Sequence, residues 1–139
     1  MVEFDTGEDG FSTIVKDYQE ASLRYLWNLD GGGASSRDVW AQVNKELMGK
    51  SSISRASIIN YLNSMVDEGV LDYTEITGKG GHRRIYYAKY DEAGFKEYMA
   101  KKIISKLLET WPEATLKVID TIKGDKLLSE PVYLKKEGI

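Results

Sequence analysis

The chain has 139 residues, 42% of them apolar, which fits one domain or one domain with an oligomerisation segment and argues against gross disorder. It has no cysteine, which excludes disulfides, thiolate metal sites and cysteine nucleophiles and suits a reducing cytoplasm. Its net charge of −3 is uneven: −5 over residues 1–34, +2 over 35–90 and zero over 91–139, so a small basic excess falls in the middle third.

The first ten residues, MVEFDTGEDG, are acidic and lack an apolar stretch, which predicts no signal peptide and a flexible acidic tail over 1–11. A first helix is predicted over Ser12–Leu29. Tyr18, Ala21, Ser22, Tyr25, Leu26 and Leu29 recur at helical spacing, and Gly31 to Gly33 stop it. A second helix is predicted to start at Ser35 or Ser36, because Ser35 with Asp38 three residues on resembles a capping box. Val39, Trp40, Val43 and Leu47 form its inner stripe, and Gly49 ends it.

A third helix is predicted over Ser54–Glu68, with Ser54 as its cap and Gly69 after its end. Ile58, Leu62, Met65 and Val66 fall on one side. The opposite side carries Ala56, Ser57, Asn60, Asn63, Ser64 and Asp67, which are short and polar where an ordinary surface helix carries Lys and Glu. Strands are predicted over Leu71–Thr77 and Arg83–Tyr90, joined by Gly78-Lys79-Gly80-Gly81.

A fourth helix, about Asp91–Thr110, has two apolar stripes: Phe95, Met99, Ile103 and Leu107, and Ile104, Leu108 and Trp111. One stripe covers the domain's own core. The other needs a second surface, and a second copy of the chain is the simplest. Pro112 opens a short fifth helix with Leu116, Ile119 and Ile122 inward. From Gly124 on the pattern fades. No apolar run approaches the ~20 residues of a membrane span.

A polar-faced helix followed by a strand, a glycine turn and a basic strand is the order of a recognition helix and its β-wing, as in winged-helix DNA-binding domains. The expected fold is therefore mainly α with a small β-hairpin: a winged helix-turn-helix over 12–90, C-terminal dimerisation helices over 91–123 and a tail over 124–139. The candidate DNA-contacting residues of the third helix are Arg55, Ser57, Asn60, Tyr61 and Ser64. Asn pairs bidentately with adenine, Ser donates or accepts, and Tyr reaches a phosphate or a thymine methyl. Those of the wing are Lys79, His82, Arg83 and Arg84, positioned to clamp phosphate or enter a minor groove. Arg83 and Arg84 alternate across the strand, so one of them faces DNA and the other is free to pair with Glu75 or Asp72. The alternative for the cluster is a charged hairpin edge that blocks strand pairing. The expected dimer interface comprises Ile104, Leu107, Leu108, Trp111, Leu116 and Ile119.

His82 is the only histidine and has no carboxylate partner suited to catalysis or metal binding. The glycines at 31–33 and 78–81 lack the context of a phosphate-binding loop. Asp67-Glu68 and Asp91-Glu92 sit at helix ends, where dipole and capping account for them. Trp27, Trp40, Trp111, Tyr18, Tyr25 and Tyr98 either line a small-molecule effector cavity or, as helical aromatics more often do, form core. No nucleophile–base pair is visible, so no enzyme, cofactor or metal is expected.

The segments EASLRYLWNL, SSRDVWAQVNKEL and SRASIINYLNSMVDEGVL resemble the penicillinase-repressor family of winged-helix regulators. The carrying residues are Leu26-Trp27 near the end of the first helix, Asp38-Val39 in the second, and Met65, Val66 and Gly69 at the end of the third. RRIYYAKYDEAGFKEYM resembles the wing-to-helix passage of multiple-antibiotic-resistance-type regulators. The resemblance spans residues 18–110. It implies a homodimeric repressor on a palindromic operator in double-stranded DNA, with the third helix in the major groove and the C-terminal helices as the dimer. Ala56-Ser57 stand where the family often has Thr-Thr. A winged helix also serves as a protein–protein interaction module without DNA binding, and the acidic total favours that alternative.

Overall fold

Thr13, Ile14 and Val15 form a β-branched run where the sequence predicts the first helix to be under way. Such side chains lose rotamer freedom in a helix. In the computed structural model, which describes residues 3–48 and 50–124, Gly10–Thr13 form a short 3-10 turn and α1 runs Asp17–Trp27. The Gln19 side chain accepts from the Lys16 amide at 2.9 Å and marks the true start. The segment before it is held as well. The Asp5 amide donates to the Thr13 carbonyl at 2.7 Å, and the half-buried Phe11 ring lies 5.9 Å from both Trp27 and Phe95. The Arg24 guanidinium, paired with Glu20 at 2.7 Å and Glu92 at 3.1 Å, caps the Phe11 ring at 4.9 Å.

After α1 comes β1 (Ala34–Ser35), then α2 (Ser36–Glu46), α3 (Arg55–Glu68), β2 (Leu71–Gly78) and β3 (Gly81–Ala88). Ser35 Oγ accepts from the Asp38 amide at 3.2 Å and Ser54 Oγ from the Ser57 amide at 3.1 Å. Each satisfies an amide that a helix start leaves unpaired, worth ~1 kcal/mol. Gly69 ends α3 at φ 90°, in the left-handed region that other residues enter only under strain. The expected stop of the second helix at Gly49 lies outside the described residues, and α2 ends at Glu46.

The sheet is antiparallel, in the order β1-β3-β2. Its third strand, β1, was not expected. Two residues are too few to show alternation, and the signal lies in the glycine before them. A Cβ at Gly33 would meet the Ile85 and Tyr87 side chains at 2.6 Å, so only glycine lets the chain approach β3 this closely. Leu71 pairs with Ala88 and Gly78 with Gly81, which extends the hairpin further into the turn than the sequence predicts and leaves Lys79-Gly80 at the tip. The buried side chains Leu23, Leu26, Val39, Val43, Ile58, Leu62, Val70, Leu71 and Phe95 form the core beneath the helices. The order helix, strand, two helices, strand, wing, strand is that of a winged helix, and the fold is mainly helical with a small sheet.

The described residues divide into two compact units, one ending at Phe95 and the other beginning at Lys96. α4 (Glu92–Thr110) begins in the first and continues in the second, where α5 (Pro112–Lys123) follows Trp111. Thr115 Oγ1 donates to the Leu107 carbonyl at 3.0 Å across that corner. No helix among the described residues is long and apolar enough to cross a membrane.

Candidate nucleic-acid interface

The turn before α3 is fixed by a side-chain ring of bonds. Asn44 Oδ1 accepts from the Ile53 amide at 2.9 Å, and its Nδ2 donates to the Ile53 carbonyl at 3.1 Å and to the Trp40 carbonyl at 3.0 Å. The Trp40 indole N–H donates to the same Ile53 carbonyl at 2.8 Å. Asn44→Ala removes three bonds and leaves the Ile53 amide unpaired, so it is expected to lower stability by ~1–3 kcal/mol in urea unfolding. An unchanged midpoint would show that the ring does not hold α3.

Ile58, Tyr61, Leu62 and Met65 are the buried residues of α3. Ala56, Asn60 and Asp67 are exposed on the opposite side, as is Arg55 in the first turn. Asn63, Ser57 and Ser64 are half-buried beside them. Ser64 Oγ donates to the Tyr61 carbonyl at 2.9 Å, and Ser57 Oγ accepts from Ser54 Oγ at 3.0 Å. The N-terminal half of this face thus carries a cation and a free amide, and its far end carries a carboxylate, Asp67. That polarity suits a helix whose first turns approach phosphate.

Tyr61 corrects the sequence reading. It is 6% exposed, meets Tyr18 edge-on at 6.0 Å, and its hydroxyl is buried without a partner. Burial, with a smaller contribution from Tyr18, raises its pKa and keeps the phenol neutral. Its place three residues after Ile58 and four before Met65 is core spacing, and the polar hydroxyl disguised it. Tyr61→Phe removes an unpaired buried group and is expected to raise stability by ~1 kcal/mol in urea unfolding. A loss of stability would reveal a partner for the hydroxyl.

The wing sorts its basic residues by exposure. Lys79, His82 and Arg83 are exposed, and His82 Nδ1 lies 3.2 Å from Thr77 Oγ1. Arg84 was expected to clamp phosphate or to pair with Glu75 or Asp72. It is instead half-buried, stacked on Tyr73 at 3.9 Å and donating to Asn63 Oδ1 at 3.0 Å. Tyr86 donates to the same oxygen at 2.6 Å. Burial raises the Tyr86 pKa, partly opposed by Arg84. These bonds tie the wing to α3. Asn63 stood on the polar face in the sequence, but its partners come from a strand more than twenty positions away, and no local pattern announces them.

Trp27 packs against Phe11 and Phe95, Tyr18 against Tyr61, and Trp40 against the α3 turn. Tyr98 and Trp111 belong to the second unit. In that unit Ile104, Leu107, Trp111, Val118, Ile119 and Ile122 line an open apolar groove of about 510 Å³. Leu107 therefore joins Ile104 and Trp111 rather than the Phe95 stripe. Leu116 is exposed outside the groove lining, and Leu108 is half-buried. Among the described residues no group of His, Asp and Glu could hold a metal ion.

No family model matches the sequence, and no curated protein does, so nothing in these comparisons supports the penicillinase-repressor likeness. Solved structures show likenesses. One is of the DNA recognition and protein interaction domains of HOP2, with 25% identity over 52% of this chain and 98% of that chain, TM-score 0.41. Another is of a proposed transcriptional regulator of Thermoplasma acidophilum, with 18% identity over 81% and 94%, TM-score 0.44. A third is of a PadR family transcription regulator from hypervirulent Clostridium difficile R20291, with 14% identity over 73% and 98%, TM-score 0.42. The winged-helix assignment rests on the element order and strand register.

Proposed function

We propose that this chain is a sequence-specific regulator of transcription, binding double-stranded DNA through α3 and the wing as a homodimer on a palindromic operator in the cytoplasm. The observation that carries this reading is the pairing, in one compact unit, of a short polar helix face with a tip bearing Lys79, His82 and Arg83. Arg55, Lys79 and Arg83 hold phosphate and set register. Asn60, Ser57 and Ser64 reach base edges. Arg84, expected beside them, supports the wing from behind. The apolar groove of the second unit supplies the dimer surface, and repression follows from occupying the operator.

Selection of bound sites from a random duplex pool tests this. A palindrome with half-sites about one helical turn apart is expected. An enriched site without two-fold symmetry would remove the dimer, and no enrichment would remove DNA binding. The overall charge of −3 and Asp67 on the reading face favour the second reading, a protein-interaction module.

A further inference from the structure

Asn63 lies half-buried beside the exposed side of α3, and its carboxamide is not free to turn. Oδ1 accepts from the Tyr86 hydroxyl at 2.6 Å and from an Arg84 guanidinium N–H at 3.0 Å. A guanidinium only donates, so the oxygen and not the nitrogen must face it. A carbonyl oxygen has two lone pairs, and both are used here. Arg84 is in turn held over the Tyr73 ring. Nδ2 makes no hydrogen bond among the described residues. The single buried side-chain polar atom without a partner there is the Tyr61 hydroxyl, so Nδ2 is not fully buried. The capacity left to the carboxamide is therefore an NH2 with two donors and no acceptor.

An unconstrained Asn reads adenine by donating to N7 and accepting from the N6 amine. Asn63 has no lone pair left for that amine. The major-groove edge of guanine offers N7 and O6, two acceptors and no donor. We propose that Asn63 is a specificity-determining residue that selects guanine at one base pair, its donor-only state imposed by Arg84 and Tyr86 of the wing. The inference rests on the proposed function, since it needs α3 in a major groove. Wing and helix then act as one reader: the strand that carries the phosphate-facing tip also decides which base the helix accepts.

The test starts from a site selected with the parent protein and replaces each guanine in turn by 7-deazaguanine, which lacks the N7 acceptor. At one position per half-site the parent is expected to lose roughly 5- to 100-fold in affinity, the range of a single base contact. Asn63→Asp keeps oxygen acceptors for Arg84 and Tyr86 but removes the NH2. It is expected to bind guanine and 7-deazaguanine alike at that position, and comparison within one variant cancels its added charge. Arg84→Ala with Tyr86→Phe frees the Oδ1 lone pairs and is expected to shift the preference there towards adenine. Sensitivity to 7-deazaguanine that persists in Asn63→Asp, or is absent from the parent at every guanine, overturns the assignment while leaving DNA binding intact. A parent that enriches no duplex overturns the proposed function and this inference with it.

Discussion

Ile104→Glu is expected to turn a dimer into a monomer. Ile104 is 46% exposed, Leu107 40%, Trp111 61% and Ile122 40%, and with Val118 and Ile119 they line one groove. The groove is open and almost wholly apolar, and a second copy of the same groove is its simplest cover. A carboxylate at position 104 would be buried unpaired in that interface, a change worth several kcal/mol. In sedimentation at micromolar concentration the parent is expected to run as a dimer and the variant as a monomer. The winged unit, whose core lies within residues 1–95, is expected to keep its circular dichroism. A dimer that set its two α3 helices about 34 Å apart would meet successive major grooves, so operator affinity is expected to fall far more than for any single base contact. A monomeric parent that binds one half-site tightly would remove both the dimer and the palindrome.

The second large effect belongs to the wing tip. Lys79→Ala with Arg83→Ala is expected to weaken binding to every duplex alike, by roughly tenfold per lost phosphate contact near 0.1 M salt. Each lost contact should also lower the slope of log affinity against log salt by about one. Arg84 is left out of the pair because its guanidinium is engaged by Asn63 and Tyr73, so replacing it would disturb the wing rather than subtract a phosphate contact. An unchanged slope in the double variant would assign Lys79 and Arg83 to the bland role of a charged hairpin edge.

The parts of the fold that could be read from the sequence are those governed by local chemistry. Ser54 before α3 and Gly69 after it bracket the helix as their cap preferences require, and Gly78 to Gly81 mark the hairpin. The apolar stripe of Ile58, Leu62 and Met65 gave the buried face its direction. What escaped depends on contacts between distant segments. β1 exists because Gly33 lets the chain approach Ile85 and Tyr87. α1 starts late because Gln19 caps the Lys16 amide and Phe11 docks against Trp27. The polar groups of Arg84 and Tyr61 suggest surface roles, but a cation above Tyr73 and a phenol against Tyr18 are decided by tertiary neighbours. Composition placed the basic excess in residues 35–90, yet which cations face outward depends on the strand register.

Fluorescence anisotropy of a labelled random duplex, titrated at about 50 and about 200 mM salt, separates the two functional classes in one experiment. Binding at the lower salt that weakens steeply at the higher, and weakens less steeply in the Lys79 and Arg83 double variant, is the outcome expected of a reading helix flanked by a phosphate-holding wing. A folded, dimeric protein that leaves the anisotropy unchanged at tens of micromolar and low salt would make this winged helix a protein-docking module instead.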